Sequence, residues 1–266
     1  MYYRGNIDPS NPSGFYMAVG YDGTFEGLLT IIFLHYYEKL DAGIVVEEKN
    51  GLSADYPRLI FTEYVSVETD YEKAERVLAG LRKKSAEAAE NLFAAFLCAS
   101  RDATELYRYA VLVFSKGKAA ENFEATDCVR AVHNAAQTSQ YEAHRYTGFI
   151  RFTETERGVL YAKFEPVNRV LALVAPHFAS RMPGEKWVIE DRAHREAAIY
   201  DGNELMITEI ESRGAAVPGE VEDKYERLWG LFVDTIAVEG RMSEKRRNQI
   251  FPKRFRKFLP EFKKDF

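Results

Sequence analysis

Hydrophobic residues in the first half of the chain recur at the spacing of a helix. From residue 25 to residue 36, apolar positions follow one another at intervals of three and four residues, which is typical of an amphipathic helix. Short strands are predicted before it, at residues 15–20, and after it, at residues 58–67. Further helices follow, with breaks predicted at residues 83–85, 101–102 and 117. The first 140 residues therefore read as a mostly helical unit with little strand.

From about Tyr146 the period changes to two residues, which indicates strands. The alternation and the intervening turns predict an antiparallel β-β-α-β-β-β block, with strands at residues 148–153, 159–165, 186–191, 196–201 and 205–208 and a helix at residues 170–181. A linker at residues 213–219 leads to a helix with an apolar stripe from Tyr225 to Ile236. We therefore predict an α+β fold with a helical region at 1–140 and an antiparallel α+β region at 141–266, which could also form one continuous domain.

Length and composition favour one or two ordinary globular domains, since the chain has 266 residues, 46% of them apolar and 29% charged. The most apolar run, residues 28–37, contains His35 and is far shorter than the roughly 20 residues of a membrane span. The first residues are polar and rich in turn formers, unlike a secretory signal. We expect a cytoplasmic protein without a membrane partner.

Positive charge is concentrated at the C-terminal end. Residues 240–266 contain ten Lys and Arg against three acids and carry +7, whereas the whole chain carries −5, so the remainder carries −12. Four phenylalanines interleave with these cations, which suits a polyanion or an acidic partner. Alternatively, the phenylalanines dock the tail onto the body and the cations are solvated. The candidate nucleic-acid-binding residues here are Arg246, Arg247, Lys253, Arg254, Arg256 and Lys257.

A second candidate nucleic-acid surface lies on the predicted hairpin. Alternation places Ile150, Phe152 and the even-numbered residues of the second strand toward the core. The opposite face then presents Arg151, Tyr161 and Lys163. Aromatic rings and cations together match the stacking and phosphate contacts that single-stranded nucleic acid requires. The alternative is that another helix covers this face.

Histidines beside arginines form the third candidate site. His144 precedes Arg145, His177 lies one helical turn before Arg181, and His194-Arg195 follows Asp191-Arg192. Joined by Asp191, these side chains would make a cationic pocket suited to phosphate binding or acid–base chemistry. The spacing leaves open that each histidine and arginine makes only local contacts. His35 and His133 lie in apolar helices and are expected to be structural.

No metal or cofactor is expected. Cys98 and Cys128 lie far apart in helical patterns and should be buried and reduced. The chain contains no nucleotide-binding phosphate loop, no GxGxxG, no GxSxG and no HExxH motif. The polar run at residues 22–27 is expected to cap the first helix, with Glu26 in its first turn.

Several segments resemble a bacterial family described as probable DNA metabolism proteins. They are residues 21–29 (YDGTFEGLL), 142–152 (EAHRYTGFIRF), 160–162 (LYA), 176–181 (PHFASR), 187–191 (WVIED) and 228–229 (LW). Members are typically encoded beside a putative radical-SAM protein of DNA modification or repair, and related domains are fused to uracil-DNA glycosylase-like domains. This chain departs from the family near its end, where Arg256 occupies the position of a tryptophan.

The resemblance implies an accessory role in DNA repair or modification, in contact with single-stranded or damaged DNA, a radical-SAM partner or both. The alternative is a phosphodiesterase or base-processing enzyme that uses His144, His177 and Asp191. A scaffold that binds only protein is the third possibility. Of these three classes, we expect the accessory role.

Overall fold

The structure, a computed structural model, describes residues 17–48, 64–123, 125–155 and 158–210. The chain divides into two compact units, residues 1–137 and 138–266. The predicted α+β class is confirmed, with helices dominating the first half and strands with an intervening helix forming the second. None of the helices in the described ranges combines the length and the apolar composition that a bilayer span requires.

Unit 1 combines a small parallel sheet with helices. Its elements are β1 (Ala18–Tyr21), α1 (Phe25–Tyr37), β2 (Ile44–Glu47), β3 (Tyr64–Ser66), α2 (Tyr71–Lys84), α3 (Ala86–Phe96), α4 (Ala103–Lys116), a 3-10 helix (Gly117–Asn122) and the start of α5 (Asp127–Phe149). The strand order is β2-β1-β3, and both pairs are parallel. The sequence pattern did not predict β2.

Local capping chemistry sets the helix boundaries of unit 1. The side chains of Thr24, Asp70, Ser85 and Asp102 accept hydrogen bonds from the first-turn amides of α1, α2, α3 and α4. Gly117, with φ +57°, ends α4. The predicted cap at residues 22–27 and the predicted breaks near residues 83–85, 101–102 and 117 are therefore confirmed.

Unit 2 is built on a five-stranded sheet. Its elements are the second part of α5, β4 (Thr153–Glu154), β5 (Leu160–Phe164), α6 (Leu171–Arg181), β6 (Trp187–Asp191), β7 (Glu196–Tyr200) and β8 (Leu205–Glu209), and the strands lie in the order β4-β5-β6-β7-β8. The core contains the fully buried Trp187 and Ile189 of the sheet, Val174 of α6 and Tyr146 of α5. The predicted order of strands and helix is confirmed.

Two details of the second half were predicted wrongly. The β5–β6 pair is parallel, not antiparallel, because the helical connection through α6 returns the chain to the same end of the sheet. Residues 148–149 belong to α5, and β4 comprises only two residues. The helix continues because Ala143, Tyr146 and Ile150 keep helical spacing and all enter the core of unit 2.

The linker at 213–219, the predicted helix at 225–236 and the basic tail at 240–266 lie outside the described residues, as do residues 15–16 and 58–63 of the predicted strands.

Candidate functional site

A stripe of aromatic and basic side chains follows the outer face of α5 in unit 2. Tyr141, Arg145 and Phe149 are spaced four residues apart, so they lie one above another on the helix. Nη1 of Arg145 donates a hydrogen bond to the hydroxyl oxygen of Tyr141 at 2.9 Å. Its guanidinium carbon lies 5.6 Å from the centroid of the Tyr141 ring and 5.3 Å from that of Phe149. We call these three residues the aromatic–arginine stripe.

The stripe is accessible at its N-terminal end. The side chain of Tyr141 is 56% exposed, and His144 and Gly148 beside the stripe are also exposed. A Cβ atom added at Gly148 would meet nothing within 4 Å. An exposed ring, a guanidinium held by cation–π contacts and open space beside them provide a surface on which a planar, anionic ligand could stack.

The opposite side of α5 is fixed to the body of unit 2. Glu142 is 2% exposed and accepts hydrogen bonds from the backbone amides of Val167 and Asn168 at 3.1 and 2.9 Å. The Asn168 side-chain amide donates a third, at 2.6 Å. The Tyr146 hydroxyl also donates to the carbonyl oxygen of Glu165. These bonds hold the outer face of the helix in a fixed orientation.

Of the three residues predicted to share a sheet face, two do so. Tyr161 and Lys163 lie on the same side of β5, and Lys163 is exposed. The Tyr161 hydroxyl donates to Glu190 on β6, and burial together with this carboxylate raises the pKa of Tyr161. Arg151 instead lies between α5 and β4, where its Nη1 donates to the carbonyl oxygens of Gly148 and Ile150. Arg151 therefore caps α5.

The side chains of the predicted histidine–arginine pocket lie in different environments. His144 is exposed on α5, while His177 and Arg181 are exposed on α6. Asp191 is fully buried, and its carboxylate accepts hydrogen bonds from the amides of Ala193 and His194 and contacts Nδ1 of His194 at 2.7 Å. Those contacts all lie within the β6–β7 hairpin, which is the pattern of a turn-forming carboxylate. Convergence of the five side chains stays a prediction.

The remaining candidates have structural contacts. Nδ1 of His35 lies 2.7 Å from the Tyr107 hydroxyl, and Nε2 of His133 lies 2.5 Å from Glu121. Both cysteines are buried as free thiols. Within the described ranges, no group of three or more His, Cys, Asp or Glu side chains is arranged to hold a metal ion.

Sequence reasoning missed a second polar cluster, at the carboxyl ends of the unit 1 strands. Because β2 and β3 flank β1 on opposite sides, the carboxyl end of β1 is the switch point at which open α/β sheets commonly bind ligands. Asp22 follows β1, while Glu47 and Glu48 lie at the end of β2 and just beyond it. We call these three acids the carboxyl-edge cluster. Because β2 was not predicted, nothing in the sequence pattern indicated this cluster.

Each acid of the carboxyl-edge cluster has donors within unit 1. Asp22 accepts hydrogen bonds from the Thr24 and Thr69 hydroxyls at 2.6 and 2.8 Å. Burial opposes ionisation of Asp22, but the bonds from Thr24 and Thr69 outweigh it and lower its pKa. Glu47 pairs with Nε of Arg101 at 2.8 Å, and Glu48 accepts from the hydroxyls of Tyr64 and Ser66. These contacts join the three strand ends.

Comparison with protein-family models identifies the family of this chain. Residues 100–261 match the model of DUF4130, a domain of unknown function. The chain belongs to this family. The DUF4130 match contains all of α5 and the described sheet of unit 2, but not the strands of unit 1. No curated protein and no solved structure showed significant similarity to the chain. The aromatic–arginine stripe thus lies within the DUF4130 region, and the carboxyl-edge cluster lies outside it.

Proposed function

We propose that this DUF4130 protein is an accessory protein of DNA repair or modification that contacts single-stranded or locally opened DNA through the aromatic–arginine stripe. The observation that carries the proposal is the position of Arg145, a half-buried side chain on α5 whose guanidinium lies against the rings of Phe149 and the exposed Tyr141. The resemblance to DNA metabolism proteins supports the choice of DNA as the ligand. The role places the protein in the cytoplasm, where bacterial DNA lies.

The chemistry of the stripe matches unpaired DNA better than duplex DNA. An exposed tyrosine ring gives a stacking surface for a base, and stacking requires a base that is not covered by its neighbours. Arg145 also donates to the Tyr141 hydroxyl, and a guanidinium of this kind attracts phosphate through charge-assisted hydrogen bonds. Lys163 adds exposed positive charge elsewhere in unit 2.

The proposal also assigns roles to the basic tail and to a partner. Residues 240–266 supply ten cations in 27 residues, which suits contact with phosphates without sequence preference. The resemblance implies a radical-SAM protein as the partner that carries out chemistry on the DNA. Co-purification of the two proteins from cells that express both tests this part of the proposal.

Fluorescence anisotropy with a labelled single-stranded oligonucleotide tests the DNA contact. Tyr141→Ala and Arg145→Ala should each weaken binding by roughly 5- to 150-fold, because loss of one stacked base costs about 1–3 kcal/mol. Tyr71→Ala and Arg82→Ala are matched controls, since both residues are exposed on α2 of unit 1. The controls should change affinity by less than about twofold, as expected for exposed residues that do not belong to the stripe.

Two results would reject the DNA-contact proposal. One is the absence of binding at low salt by the intact protein, both alone and with its radical-SAM partner. The other is an equal loss of affinity in the stripe variants and the α2 controls, which would indicate attraction by overall charge alone. Circular dichroism of each variant should match that of the unmodified protein, because Tyr141 is exposed and Arg145 is only half-buried on α5.

A further inference from the structure

The outer edge of β8 differs from the other described sheet edges. At one edge of unit 1, the Thr104 hydroxyl accepts a bond from the Val45 amide at 3.1 Å and lies 3.4 Å from the Val45 carbonyl oxygen, so this side chain covers the edge of β2. The other edges, β3 and β4, are only three and two residues long. β8 has five residues and contains no lysine, proline or other feature that blocks pairing.

The ladder between β7 and β8 identifies the backbone groups that point outward. The Asp201 amide donates to Glu204 and the Ile210 amide donates to Arg195, which marks the hydrogen-bonded pairs at both ends of the ladder. Hydrogen-bonded and non-bonded pairs alternate in an antiparallel ladder. The N–H and C=O groups of Leu205, Ile207 and Glu209 therefore point away from β7.

Those outward groups form a row that can receive another strand. Among the described residues, the row has one hydrogen bond, a contact of 3.4 Å from the Thr208 hydroxyl to the Glu209 carbonyl oxygen. Met206 and Ile207, on opposite faces of the strand, are 57% and 41% exposed. An extended edge with exposed apolar side chains on both faces is a surface for β-strand addition.

We propose that the occupant of this edge is β8 of a second copy of the chain, paired antiparallel about a twofold axis through Ile207. This register places Ile207 opposite Ile207 and Leu205 opposite Glu209, so that outward-facing groups meet only outward-facing groups. Three pairs that exchange two bonds each give about six hydrogen bonds. Met206 lies opposite Thr208, and no two like charges are directly opposed.

The choice of a second copy rests on the side chains, because this register places the exposed Ile207 side chains of the two copies beside each other and opposes no like charges. The contact is small compared with standard protein interfaces, so the dimer should be weak and dependent on concentration. The proposal does not depend on the DNA-contact proposal, and the experiment below contains no DNA.

Sedimentation velocity of the full chain across a hundredfold range of concentration tests the dimer. The unmodified protein should shift reversibly from monomer to dimer. Ile207→Pro removes an outward N–H without removing a bond to β7 and should weaken the dimer at least tenfold, as should Ile207→Lys. Ile207→Val is the matched control and should dimerise like the unmodified protein. Met206→Pro, which removes a bond to β7, should instead destabilise the fold.

Amide hydrogen exchange provides the second measurement. The Ile207 amide should exchange quickly in the monomer and slow down as the protein concentration rises. A monomer at every concentration, or dimerisation of Ile207→Pro equal to that of the unmodified protein, would overturn the proposal. Protection of the Ile207 amide in the monomer would also overturn it, because the edge would then be filled by residues of the same chain.

Discussion

Glu142 anchors α5 to the body of unit 2, and its replacement should lower the free energy of unfolding by an amount that the structure allows us to calculate. This side chain is 2% exposed and accepts three hydrogen bonds, two of them from Asn168, which is 4% exposed. Glu142→Ala removes the acceptor from two buried donors, and each donor left without it costs about 1–3 kcal/mol. The Val167 amide should cost little, because this residue is 56% exposed and water can replace the carboxylate. We expect a total loss of about 2–6 kcal/mol.

Urea unfolding followed by tryptophan fluorescence measures this loss of stability in unit 2. Both tryptophans, Trp187 and Trp229, belong to unit 2. Glu142→Gln should recover only part of the stability, since an amide places an NH₂ group where one carboxylate oxygen accepted a bond. Glu90→Ala, at an exposed position on α3, is the matched control and should change stability by less than about 0.5 kcal/mol.

The melting temperature of Glu142→Ala should also fall by roughly 4–24 °C, at about 2–4 °C per kcal/mol for a domain of this size. A change below about 0.5 kcal/mol in the free energy of unfolding would refute the reasoning. It would mean that the connection before α6 is held without the Glu142 carboxylate.

Four further predictions follow from the described residues and the sequence. Because its folded-state pKa is lowered, the stabilisation from ionised Asp22 is complete above about pH 4 and is lost as pH falls through that pKa. Asp22→Asn should therefore flatten the decline of the unfolding free energy below about pH 4 in an acid titration. Gly148→Ala should raise that free energy by about 0.5 kcal/mol in urea unfolding, because the position is helical and the added carbon meets nothing within 4 Å. If about five tail cations contact phosphates, log affinity should fall against log salt with a slope of about −3.5 on single strands, and deletion of residues 243–266 should flatten that slope. Elemental analysis of untagged protein should find well below one equivalent of zinc or iron, since the two cysteines lie too far apart in sequence to suggest a closed four-ligand site; a stoichiometric metal would contradict this.

Helix boundaries could be predicted from the sequence where short-range chemistry sets them. Thr24, Ser85 and Asp102 accept bonds from amides two or three residues ahead, so the information needed lies within a few neighbouring residues. The strands at residues 186–191 and 196–201 were also predicted to within one residue. Trp187 and Ile189 of β6 and Ala198 and Tyr200 of β7 enter the core at every second position, a spacing that a local window of sequence can detect.

Strand pairing depended on residues distant in sequence and could not be predicted in the same way. The parallel β5–β6 pair requires knowledge of where α6 packs, since the same two strands could pair in either direction. The four residues of β2 gave too short a pattern, yet their parallel pairing with β1 brings Glu47 and Glu48 to the same sheet edge as Asp22. The carboxyl-edge cluster thus followed from topology.

The aromatic–arginine stripe was missed because one element next to it was predicted as a strand instead of a helix. The sequence already contained Tyr141, Arg145 and Phe149 at helical spacing, but the strand predicted at residues 148–153 separated Phe149 from the other two. Phe149 and Ile150 favour strands by propensity, whereas burial of Ile150 in the core of unit 2 and its amide bond to the Tyr146 carbonyl keep this segment wound. Tertiary packing overrides local preference here. The helical continuation brings Phe149 beside Arg145 while its ring also packs against the core of unit 2, and this moves the proposed DNA contact from the hairpin to α5.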